Sequence, residues 1–293
     1  MGVILASTAV PGGCCTRWTH PEEGHPTRTP DHADADTRTV EELLDRLDLE
    51  AKVRLLTGRD FWTTWPLPEI GLRPMLLSDG PSGVRGEVWD ERSPSLNLPS
   101  ATALSSSWDP ELARRYGRVV AVEARRKGVD VVLGPTINLH RTPLGGRHLA
   151  CFSEDPVLTA ELAAAYVTGV QENGVGATPK HYVGNDHETE RFTASTEVSE
   201  RALRELYLLA FEKAVVTARA WLVMSAYNGV NGVTATEHPL LQTPLNDDPS
   251  PPRSGVRRLA RGRLAPRARA LRRPGGDPGH GPAAPKQRES HRS

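Results

Sequence analysis

The sequence predicts an α/β protein, a (β/α)8 TIM-barrel-type domain, on three observations. An apolar run, a polar loop and a capped helix recur four times in order, which is the signature of βα units on a parallel sheet. The runs are continuously apolar rather than alternating, as strands buried on both faces are. The distinctive polar residues, Asp79, Arg85, Arg147, Lys180, His181 and Tyr227, all fall just after those runs. In a barrel that end of the strands is the functional face. Neither GxGxxG nor GxxxxGK[ST] follows the first run, so a nucleotide-binding doubly wound sheet is the weaker option.

The elements read as follows. Residues 1–38, rich in Pro, Gly, Thr, Asp and His without apolar periodicity, are expected to be a disordered leader. "TVEELLDRLDLEAKVRLLTG" predicts one helix, with Thr39 as N-cap, Glu42 three residues on and Gly58 as stop. "RPMLLSDGPSGVR" is a strand and a Gly-rich loop. "DPELARRYGRVVAVEARRKG" is an amphipathic helix capped by Asp109, with Pro110 in its first turn. "VDVVLGPTINLHRTPLGGR" is a strand and loop, "DPVLTAELAAAYVTGVQENG" a capped helix, and "VGATPKHYVGND" a strand and loop. "SERALRELYLLAFEKAVVTA" is a helix opened by Ser199, and "AWLVMSAYNGVNG" a last strand and loop. The barrel-like region therefore spans 39–245.

From Asn246 the texture collapses into Arg, Pro, Gly and Ala. Residues 246–293 hold 12 cations against 4 acids, a charge of +8 that leaves the rest of the chain near −8. This tail cannot bury a core and is expected to be disordered, the product of an altered reading frame rather than a basic arm for nucleic acid. The whole chain has a formal net charge of +0, so nothing global argues for nucleic acid or an anionic membrane. No segment approaches the ~20 consecutive apolar residues of a membrane span. Three cysteines, Cys14, Cys15 and Cys151, make neither a disulfide framework nor a metal spacing, and with no basic n-region at the start the chain is expected to be cytoplasmic.

The residues after the strands make a pocket rich in donors, which suits a ligand covered in hydroxyls. Charged groups hydrogen-bond neutral hydroxyls strongly, and the two oxygens of a carboxylate such as Asp79 can accept from two adjacent hydroxyls of one sugar. A metal centre is the rival reading of "TPKHYVGNDHETER". His181 and His187 are six apart, however, not at HExxH spacing, and no third ligand stands at a standard interval. No metal or other cofactor is expected. No G-x-S-x-G elbow is present, and Cys151 has no Cys-His signature around it.

With these residues in view, the chain resembles glycoside hydrolase family 3 in its β-glucosidase/β-xylosidase branch. The resemblance lies in "LLSDGPSGVRGE" (76–87), "LGPTINLHRTPLGGRHLACFSEDPVL" (133–158), "ATPKHYVGNDHETER" (177–191) and "VMSAYNGVNG" (223–232). It implies the family's N-terminal barrel and a retaining β-glycosidase acting on a β-linked oligosaccharide or an aryl or alkyl glycoside. By the same resemblance Asp79, Arg147, Lys180 and His181 hold hydroxyls of one ring in the −1 subsite. Tyr227 lines that subsite with Met224 packed nearby, while Arg85 and Arg191 support the rim.

Two departures qualify the expectation. His148, Leu149, Ala150 and Cys151 stand where relatives are aromatic-rich, and His187 stands where an amide or acid is usual. The larger departure is an absence. Retaining hydrolysis uses two carboxyl groups about 5–5.5 Å apart. In this family the nucleophile is the Asp of an "SDW"-like motif after the "AYN" strand, and the acid/base comes from a following α/β sandwich. Neither is found here, and Asp247 and Asp248 flank Pro249 without strand character. The expectation is an incomplete barrel with a sugar pocket and no catalytic residues.

Overall fold

A computed structural model describes residues 3–4, 40–88, 90–241 and 245. Thr39, Cys14, Cys15, Asp247, Asp248, the expected tail and nearly all of the expected leader lie outside the described residues. Inside the leader, Val3–Ile4 form β1.

The long helix expected over 39–57 is two short ones, α1 over residues 40–45 and α2 over Leu49–Arg54. The leucine periodicity runs through the break, but Asp48 sits in it with extended backbone. Its carboxylate accepts from the Ala51 N–H at 2.8 Å, so it caps a new helix rather than continuing the old one.

β2 (Leu77–Asp79) follows, then a short α3 (Ala101–Ser105) and the long α4 (Pro110–Arg126). Asp109 caps α4 through the Glu111 N–H at 2.9 Å, and Pro110 occupies the first turn, where a missing N–H costs nothing. Ala113, Gly117, Val120, Ala121 and Ala124 form its buried stripe. β3 (Val131–Leu133) leads to α5 (Pro156–Gln171), capped by Asp155, and on to β4 (Gly176–Ala177) and β5 (Lys180–Tyr182). β6 (Ser195–Thr196) precedes α6 (Glu200–Ala202), where Ser199 is the expected cap. A π turn over Leu203–Tyr207 joins α6 to α7 (Leu209–Val216), so the expected single helix is interrupted. β7 (Val223–Ser225), β8 (Gly229–Val230) and β9 (Val233–Thr234) complete the order.

β2, β3 and β4 pair in parallel, as do β5 and β7. The chain from β4 to β5 is one stave interrupted at Thr178–Pro179. Hydrogen bonds carry the sheet across it: Thr178 N–H to Gly134 O at 2.8 Å, Lys180 N–H to Pro135 O at 2.9 Å and Met224 N–H to Pro179 O at 3.1 Å. The described residues thus form four consecutive parallel staves, each joined to the next through helices, as the βα rhythm predicts. β1 lies antiparallel on β7, on the side away from β5. A smaller sheet of β6, β8 and β9 was not expected. Asn231 and Gly232, both at positive φ, form its hairpin turn.

The core lies between the staves and the outer helices. α4 and α5 approach until their backbones touch: a Cβ on Gly169 would stand 2.0 Å from Arg114 O, and one on Gly117 2.4 Å from Tyr166 O. Fully buried Val120, Leu162, Val167 and Val170 fill the seam, each worth roughly 1.5–3 kcal/mol of apolar burial.

Candidate functional site

The site is built at the ends of the staves. Asp79 is the last residue of β2, and the chain turns sharply behind it at Gly80 (φ 118°). A Cβ there would lie 2.0 Å from Gly83 O, so only glycine allows the turn. The loop folds back far enough for Arg85 N–H to donate to Asp79 O at 3.0 Å, and Ser78 Oγ accepts from Gly86 N–H at 2.8 Å.

Lys180 and His181 do not follow a strand, as the sequence suggested: they are two of the three residues of β5. The Lys180–His181 and Tyr182–Val183 peptides are cis, and the register against β7 slips between Lys180 and Tyr182. Such a bulge relaxes strict alternation of side chains, so a strand of polar residues serves the pocket from within the sheet. Lys180, 3% exposed, donates from Nζ to Asp79 Oδ1 at 2.6 Å. Burial alone would raise the Asp79 carboxyl, but the Lys180 charge and hydrogen bond, with Arg85 nearby, outweigh it and hold the group below its ordinary value. Burial pulls the Lys180 ammonium down, and Arg147 and Arg85 add to this against the pull of Asp79.

His181 is equally buried. Its Nε2 lies 3.4 Å from Arg147 NH1, and its ring centroid 6.5 Å from that of Tyr227. Burial, then the Lys180, Arg147 and Arg191 charges, lower it well below an ordinary histidine, so it is neutral at pH 7. Arg147 reaches this point from the long loop after β3 and faces Glu188 at 3.7 Å. Glu188 also takes Arg191 NH1 at 2.6 Å, so one carboxylate holds both guanidinium groups. Arg191 lies over the rings of Tyr227 (5.3 Å) and Phe192 (5.0 Å), and these rings pack at 4.8 Å. Met224, buried on β7, is the register partner of Lys180. All eight residues singled out from the sequence therefore belong to one neighbourhood: Asp79, Lys180, His181 and Met224 at the floor, Arg147, Arg191 and Tyr227 at the rim, and Arg85, exposed on the loop after β2, near enough for its charge to act on Asp79.

Sequence reasoning missed three residues. Glu188 is one, visible only as another acid in a charged loop. Asn138 is the second: it is buried inside the apolar run "TINL" and bonds the backbone and ring of His181. Asp186 is the third. Leu139 N–H donates to it at 3.1 Å, and burial pushes its carboxyl up to about 6. It borders a small recess with Arg147, Cys151, Asn185 and Glu188, where both amide atoms of Asn185 are buried without a hydrogen-bond partner. Burial also raises the Cys151 thiol to about 12, which makes it inert. Among the described residues no three His, Cys, Asp or Glu side chains are placed to hold a metal ion, and no helix is long and apolar enough to cross a membrane.

A parallel α/β sheet with charged groups gathered at its strand ends defines a class, and comparison with known proteins names it. Residues 69–248 match the glycosyl hydrolase family 3 N-terminal domain, so the chain belongs to that family, whose N-terminal domain is of the TIM-barrel type. Among its relatives, a β-glucosidase of Rhizobium radiobacter is 47% identical over 207 residues, which are 70% of this chain and 25% of the relative. Thermostable β-glucosidase B of Acetivibrio thermocellus is 42% identical over 211 residues, 70% of this chain and 28% of the relative. Among solved structures, a β-glucosidase from Kluyveromyces marxianus in complex with glucose matches with TM-score 0.68 at 42% identity, over 70% of this chain and 25% of that one. β-Glucosidase 3B from Thermotoga neapolitana in complex with glucose matches with TM-score 0.65 at 42% identity, over 70% and 31%. The chain spans about a quarter of the length of the curated relatives it matches.

Proposed function

We propose that the site is the −1 sugar subsite of a β-glucosidase-like retaining glycosidase, and that it binds a glucose-like ring at the end of a β-linked oligosaccharide or an aryl or alkyl glycoside. The observation that carries the reading is the Lys180–Asp79 pair at 2.6 Å, which joins the first and third staves across β3, with the His181–Arg147 contact beside it. It gives a hydroxyl-bearing ring an anionic acceptor and cationic donors in one place. Asp79 accepts from adjacent hydroxyls, Lys180 and Arg147 donate to the same ring, Tyr227 walls it and Met224 closes the floor. Arg85 adds its charge to the field at Asp79, and Arg191 braces Tyr227.

The pocket binds and orients, and in this 293-residue chain it does not cut. Asp79 is committed to Lys180, and no "SDW"-like strand follows "AYN" to supply the nucleophile. The organisation into 1–38, 39–245 and 246–293 is part of the same proposal. Calorimetry with glucose and an assay with an aryl β-glucoside test both halves. Binding without release of the aryl alcohol is expected. Failure to bind glucose would overturn the pocket, and turnover abolished by Asp79→Ala would overturn the non-catalytic reading.

A further inference from the structure

Asn138 has one side-chain oxygen and one nitrogen, and His181 uses both. The backbone N–H of His181, which can only donate, meets the oxygen at 2.9 Å. The amide orientation follows without choice: that atom is Oδ1, and Nδ2 is the donor that meets His181 O at 3.0 Å. The same Oδ1 lies 3.1 Å from His181 Nδ1. Two lone pairs would repel at that distance, so the contact is a hydrogen bond only if Nδ1 carries the proton. In a neutral imidazole the proton on Nδ1 leaves Nε2 with a lone pair. The neighbour of Nε2, at 3.4 Å, is the Arg147 guanidinium, which only donates. The second contact thus agrees with the first.

From this geometry we infer that Asn138 is a positioning residue which fixes the Nδ1–H tautomer of His181 and so presents Nε2 toward Arg147 as a hydrogen-bond acceptor. Asn138 is 4% exposed and its side chain bonds the backbone and ring of His181, so it acts through His181. The consequence for recognition is specific. A pocket of Lys180, Arg147 and Asp79 offers two donors and one acceptor. In this tautomer Nε2 adds one lone pair, which faces Arg147 in this structure, so a hydroxyl that takes the place of Arg147 at His181 must be a proton donor. His181 in this state also has no proton to give at Nε2, which excludes that atom as an acid toward a bound ring. The burial and positive neighbours that keep His181 neutral hold it in the one charge state where tautomer matters.

The part concerning sugar rests on the proposed function; the tautomer does not. The test is nitrogen NMR on the full chain labelled at histidine ring nitrogens. The resonances of His181, one of 10 histidines, are identified by their loss in His181→Gln. The expected spectrum shows Nδ1 protonated and Nε2 unprotonated at pH 7. Glucose should move Nε2 upfield as it accepts a hydroxyl proton and leave Nδ1 in place. Asn138→Ala should release the proton to Nε2 and weaken glucose binding about tenfold, the effect of one lost hydrogen bond. Asn138→Asp, which keeps the acceptor oxygen, should keep Nδ1 protonated, a rescue that a merely space-filling role would not produce. An unprotonated Nδ1 in the wild type or in Asn138→Asp overturns the inference, and so does an unchanged tautomer in a folded Asn138→Ala. If glucose moves no resonance while Nδ1 is protonated, the positioning role stands and the sugar reading fails.

Discussion

The floor and the rim of the pocket use the same chemistry, a carboxylate holding cations, in different solvent. At the floor Lys180 is 3% exposed against Asp79, whereas at the rim Glu188 is 24% exposed between Arg147 and Arg191 at 30% and 32%. Water therefore screens the rim pairs, and partly buried pairs of that kind contribute little net stability. The floor pair cannot lean on water from the lysine side, so each partner depends on the other. A charge pair's value to the fold is set by what replaces it when it breaks.

The largest effect expected from this contrast is on the floor. Asp79→Asn leaves a buried ammonium without its counter-charge and should cost about 3–5 kcal/mol in urea unfolding at pH 7. Lys180→Met should cost less, because Asp79 is 32% exposed and water reaches it. Equal costs would show that the floor is wetter than the geometry implies.

Asp186, beneath the rim, sharpens the contrast, because it is largely desolvated while its direct bonds come from Leu139 N–H and Tyr207 rather than from a close ion pair. Its carboxyl is raised from 3.8 to about 6, so the folded state binds its proton more tightly than the unfolded state does. The stability this confers is fully present below pH 3.8 and is lost as pH rises through 6. Asp186→Asn removes that dependence. Relative to wild type, the variant should gain up to roughly 3 kcal/mol between pH 4 and pH 7, measured as the difference between two unfolding series. The difference also cancels the opposite slope from His181, whose depressed basicity costs stability as pH falls below 6.5. Parallel curves would place Asp186 in water.

The floor was also the legible part of the sequence. Asp79 and Lys180 are 101 residues apart, yet each ends or interrupts an apolar run, and the βα rhythm brings such positions to one face. Glu188 was not legible, because a charged loop has no period to say which acid turns inward. Asn138 left a faint signal: an amide inside "TINL" has to find partners once buried, but nothing local says that they belong to residue 181. The break at Asp48 shows the limit of periodicity, since the leucines keep helical spacing across a cap that a single carboxylate imposes. The hairpin at Asn231–Gly232 carried a recognisable turn dipeptide, and only the shortness of its strands hid it.

The proposed sugar affinity depends more on the buried Lys180–Asp79 pair of the floor than on Glu188, which braces the rim arginines. Calorimetric titration of glucose into wild type, Lys180→Met and Glu188→Gln tests it most directly. Lys180→Met should weaken binding about 10–100-fold, the worth of a charged hydrogen bond, while Glu188→Gln should change it by no more than about threefold. Comparable losses from the two substitutions, or a larger one from Glu188→Gln, would contradict the account.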